Sequence, residues 1–113
     1  MKIAIAILLL TGIIVSYTNN LQHTKYGFIH QRKTIDTVIQ QAGTIYQLGT
    51  KHEPIYIIKC NRLYLNFLPA NLPKAFQQHE IKVVFSGAMK DMHPMEDEFG
   101  QFFVVNEIRN TAQ

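Results

Sequence analysis

The chain has 113 residues, 11 Lys and Arg against 8 Asp and Glu, and a net charge of +3, so it has room for one domain and too mild a basic excess to argue for a nucleic-acid or anionic-lipid partner. A single cysteine, Cys60, excludes an internal disulfide, and the fold must hold through its core alone. That core is built from seven Phe and five Tyr with no Trp, enough for a compact domain that is small and therefore marginal in stability.

In chain order, Lys2 precedes an uncharged, apolar run over residues 3–15. It has the length of a secretory h-region and falls short of the roughly 20 residues a spanning helix needs. Residues 1–16 are therefore expected to be a signal peptide cut near Ser16, which makes the product exported, periplasmic or secreted. Membrane contact would arise only if the leader stayed uncleaved. Residues 17–35 are polar and mixed, with an aromatic patch at Tyr26-Gly27-Phe28-Ile29, and are expected to form a linker ending in a short strand.

The domain proper is expected over 36–110. A β-prone run at 37–48 is interrupted by Gly43, which predicts a bulge or bend that lets one strand serve two neighbours. Strands are predicted at 55–60 and 63–68, with Asn61-Arg62 as a two-residue hairpin turn. Pro69 stops the second of these because it lacks a ladder N–H. Asn71 is expected to cap a helix of about two turns, with Pro73 in its first turn and Leu72, Ala75 and Phe76 forming a single buried stripe. Ile81, Val83 and Phe85 alternate with polar or smaller residues in the next strand, and Ser86-Gly87 suggests a bend. A polar loop through 91–98 leads to a last strand at 102–108, and residues 110–113 are expected to fray.

Strand, strand, strand, helix, strand, strand predicts an all-β, five-stranded OB-like barrel with one short helix. Three segments strengthen this: Gly43-Thr44-Ile45, Leu68-Pro69-Ala70-Asn71-Leu72-Pro73-Lys74-Ala75-Phe76, and Ile81-Lys82-Val83-Val84-Phe85-Ser86-Gly87. Together they resemble a pattern in small secreted proteins and lipoproteins of Bacteroidota, over roughly residues 38–109. The chain departs from the lipoprotein members in having no cysteine after the leader. The resemblance implies a compartment and a fold and assigns no activity.

Two groups of residues are candidates for binding. Tyr46, Tyr56, Arg62 and Tyr64 lie on neighbouring strands and are expected to share one barrel face, where an envelope protein, a peptide or a glycan would stack on the rings. The alternative is a soft-metal, copper-like carrier using Met89, Met92, His93 and Met95, since thioether and imidazole donors suit Cu(I). No EF-hand spacing, H-x-x-x-H, H-E-x-x-H, G-x-S-x-G or C-x-x-C occurs, so no catalytic residue and no cofactor is assigned and the chain is read as a non-enzyme. Cys60, in a strand-like run, is expected to pack as a small hydrophobe.

Overall fold

The computed structural model describes residues 24–96 and 98–111; the signal-peptide reading, and the linker reading over 17–23, fall outside them. A 3₁₀ helix, Thr24–Gln31, leads into β1 (Thr34–Gly49), β2 (Pro54–Cys60) and β3 (Leu65–Pro69); a 3₁₀ turn, Lys74–Phe76, precedes β4 (Ile81–Lys90) and β5 (Gln101–Asn110). The strands bond in the order β1-β2-β3-β5-β4, and β4 returns to β1, so the sheet closes into a ring.

Closure requires β1 to pair on both edges. Its residues from Thr34 to Ile45 face β4, those from Gly43 to Gly49 face β2, and 43–45 are paired in both ladders. The bend lies earlier than the position of Gly43 suggested. Register slips occur between Thr34 and Asp36 and again between Val38 and Gln41, where Gln40 takes a left-handed φ of +49°. Gly43 serves a different need: a Cβ there would stand 2.9 Å from the Lys59 carbonyl oxygen and 2.9 Å from Ile58 Cγ2. Two strands close on β1 at that point, and no side chain fits between them.

The β2–β3 connection is longer than the predicted two-residue turn. Asn61 still pairs back, its N–H donating to the Ala42 carbonyl at 3.1 Å, but the turn continues through Tyr64, whose φ is +54°. β3 therefore starts at Leu65 and sends Phe67 inward, while Leu63 and Leu65 remain exposed. From Phe67 to Pro69 it runs parallel to β5, with Leu68 opposite Phe102.

Beyond Pro69 the ladder is continued by other means. The Ala70 N–H donates to the Phe103 carbonyl at 2.9 Å. The Asn71 side chain then takes the place of a strand residue: its Nδ2 donates to the Val105 carbonyl at 2.9 Å and its Oδ1 accepts the Val105 N–H at 2.7 Å. The expected helix cap is thus corrected. Asn71 is committed to β5, Pro73 takes the cap position without a side-chain bond, and the two-turn helix is reduced to the 3₁₀ turn Lys74–Phe76. Leu72 is fully buried, Phe76 packs against the interior, and Ala75 is exposed.

The interior of the ring is apolar. Phe67, Phe85 and Phe103 meet there with ring centroids 4.7 to 5.8 Å apart, surrounded by Ile45, Ile58, Val83 and Leu72. Cys60 packs in this cluster as a free thiol. A second core lies outside the ring. Tyr26 and Ile29 of the N-terminal 3₁₀ helix cover Ile57, Leu68, Ala70 and Phe102, so the aromatic patch forms a helical cover and not the short strand expected. Asn110 pairs with Val83 and Thr111 N–H donates to the Lys82 carbonyl, so the chain is held two residues further than expected. Among the described residues no helix is long and apolar enough to cross a membrane.

Candidate binding groove

The loop at 91–100 is fixed at its near end by one arginine. Arg32 sends Nη1 and Nη2 to the two carboxylate oxygens of Glu96, each at 2.9 Å, and Nη1 also reaches the Asp91 carbonyl. Its guanidinium lies over the rings of Phe28 and Phe102 at 5.1 and 5.7 Å, and those rings meet edge to face at 5.5 Å. The Arg32 bond, assisted by the His93 N–H, holds the Glu96 carboxyl at about 2, well below its ordinary 4.5, and the same bond raises Arg32. The Asp91 N–H completes the attachment by donating to the Lys33 carbonyl at 2.8 Å.

At its far end the loop crosses the start of β3. Gly100 has φ +153°, and a Cβ there would stand 2.6 Å from the Asn66 carbonyl oxygen, so only glycine allows the two backbones to approach so closely. Between this crossing and the β2–β3 turn lies a groove of about 390 Å³. Leu65, Met92 and Phe99 give it apolar walls; Asn66, Glu98 and Gln101 supply polar groups, and Tyr64 stands at the rim. Tyr64 is 90% exposed. Gln101 is oriented by its own amide, which donates to the Lys90 carbonyl. A second hollow of similar size, lined by Lys25, Tyr26, His52, Glu53 and Ile55, presents both signs of charge and a lysine already 5.5 Å from the Tyr26 ring.

The four aromatic-face candidates do not come together. Tyr46 and Tyr56 sit on adjacent antiparallel strands one residue out of phase, Tyr46 opposite Ile57 and Tyr56 opposite Gln47. Side chains alternate along a strand, so Tyr56 is buried in the interior while Tyr46 faces outward and meets His79 edge to face at 5.7 Å. Arg62 and Tyr64 lie in the turn, and only Tyr64 reaches the groove.

The Met/His set is likewise distributed. Met89 packs against the interior and Met92 against the outer core, where its sulfur accepts the Phe102 N–H at 3.2 Å. His93 is exposed with Nδ1 4.0 Å from Glu96, and Met95 is 95% exposed. Among the described residues no group of three or more His, Cys, Asp or Glu is arranged to hold a metal ion.

No protein-family model and no curated protein matches the chain. The residues that sequence reasoning missed are Leu65, Asn66, Glu98, Phe99, Gly100 and Gln101 in the groove, and Arg32 behind it. Phe99-Gly100 directly after a run of acids was the available signal, because an aromatic beside a loop glycine marks a close crossing.

Proposed function

We propose that the protein is an exported binding module, an OB-like barrel whose groove between the β2–β3 turn and the β4–β5 loop receives an envelope protein, a peptide or a glycan. The ring order, the parallel β3–β5 pairing and the turn between β3 and β4 support the OB-like assignment, and the leader-like residues 1–16 and the resemblance to small exported proteins support export. The proposed role is binding without catalysis.

The observation that carries the reading is Tyr64. A non-glycine residue in the left-handed region costs about 1 kcal/mol or more, and an aromatic ring so exposed repays none of it through burial. A turn selected for stability alone would place Asn or Gly there. At the rim of a part-apolar groove, the same ring has a use.

The test is a photo-crosslinking amino acid placed at Tyr64, with Lys82 on an exposed position of β4 as control. Adducts with an envelope component from position 64 and none from position 82 are expected. Equal labelling from both sites, or none from either, overturns the reading. Mass determination of the secreted product, expected to begin after Ser16, tests export separately.

A further inference from the structure

We infer that the groove takes an arginine side chain presented by an extended protein segment. The inference rests on the binding reading above and adds the chemistry of the occupant. Its basis is a comparison the protein provides within itself.

At the start of the 91–100 loop, Arg32 is held by two aromatic rings and one carboxylate: Phe28, Phe102 and Glu96. The groove along the same loop presents the same types of group. Tyr64 and Phe99 supply rings, and Glu98 supplies a carboxylate. Among the described residues that line the groove, Glu98 carries the one charge, and it has no ion-pair partner among the described residues, whereas Glu96 is neutralised by Arg32. The charged group the groove presents is therefore acidic, on a chain that is basic overall.

What complements such a set is a group with an apolar stem and a cationic tip. Leu65 and Met92 suit the methylenes, the rings suit a planar cation, and the carboxylate suits a donor fork. Guanidinium meets all three requirements. An ammonium neither stacks as a plane nor pairs bidentately, so lysine is the poorer fit. Leu63 and Leu65, which flank Tyr64 in the chain, add exposed apolar surface next to it, at 43% and 39% exposure. A small free cation would leave that surface wet, whereas residues flanking an arginine in a peptide would cover it.

The experiment is an NMR titration of the isotope-labelled protein with the blocked peptide Gly-Leu-Arg-Leu-Gly and with its citrulline counterpart, a neutral side chain of nearly the same shape. The arginine peptide is expected to move the amides of Leu65, Asn66, Glu98, Phe99 and Gln101. Affinity should fall by about tenfold or more on going to citrulline, or to Glu98→Gln with the arginine peptide, because a charge-assisted pair is lost in each case. Tyr64→Ala should weaken both peptides, and both substituted positions are exposed, so the fold is retained. Equal binding of the two peptides at the groove overturns the guanidinium inference and leaves the binding module standing. Absence of groove shifts with either peptide, when crosslinking from position 64 still succeeds, overturns the inference alone. Absence of both signals removes both proposals.

Discussion

Replacing Asn71 by Ala should cost the domain a large part of its stability. The side chain is only 3% exposed and satisfies both backbone groups of Val105, itself buried, at 2.9 and 2.7 Å. Truncation leaves a buried N–H and a buried C=O without partners, at about 1–3 kcal/mol each, partly offset because the amide no longer has to be desolvated. The net loss is about 3 kcal/mol, a large fraction of the stability of so small a domain, and corresponds to a fall in Tm of roughly 12–24 °C. Urea unfolding followed by far-UV circular dichroism measures it in a chain without Trp. Asn71→Asp adds a test of sign. A carboxylate still accepts the Val105 N–H but cannot donate to the Val105 carbonyl unless protonated, so its folded pKa is raised above the unfolded value of about 4. That variant should have its full protonated-state stability below the unfolded value and lose it as the pH rises from there through the raised folded pKa. Asn106→Ala, on an exposed position of the same strand, should stay within about 0.5 kcal/mol of wild type. An Asn71→Ala variant as stable as the Asn106→Ala control would refute the ladder role assigned to the amide.

Glu96→Gln should lower the melting temperature at neutral pH, with the difference shrinking as acid is added. The folded carboxyl is depressed from 4.5 to about 2, so its contribution is present above about 4.5 and disappears as the pH falls through 2. His30 acts in a higher window: burial first, then Lys90, lowers its pKa below 6.5, and its Nε2 is buried without a partner among the described residues. The unfolded chain then binds a proton that the folded chain resists, so stability should start to decline below pH 6.5, and His30→Leu should flatten that slope. Tyr64→Asn should be neutral or stabilising by up to about 1 kcal/mol in denaturant titration, because Asn tolerates the left-handed backbone; a clear loss of stability would mean that the tyrosine serves the fold.

Alternation made the strands legible. Val83 and Phe85 point inward as their spacing indicates, and the double pairing of β1 follows from its length and its interruption. What alternation does not encode is which partner a polar side chain chooses. Asn71 followed by Leu-Pro reads as a helix cap, yet a strand that must end at Pro69 leaves Val105 unpaired, and that long-range need wins over the local one. The outer core was missed for a related reason. Ile55-Tyr56-Ile57-Ile58 has too many apolar residues for a strand with one wet face, which signals cover on both sides, but nothing local identifies Thr24–Gln31 as the cover. The tyrosine face failed on register: a one-residue offset between β1 and β2 turns Tyr46 outward and Tyr56 inward. The groove joins Tyr64-Leu65-Asn66 to Met92 and residues 98–101, at least 26 residues further along the chain, so from sequence Tyr64 was chosen for its ring and Met92 for its sulfur, each for a different site.

The groove exists because β3 meets β5 in parallel and brings the β2–β3 turn beside the β4–β5 loop. Nuclear Overhauser contacts between the backbone protons of Leu68 and Phe102 measure that meeting directly. Contacts there, together with slow exchange of the Val105 amide, are the expected result. Their absence, with the β4–β5 contacts intact, would describe an open sheet and contradict both the closed ring and the site built on it.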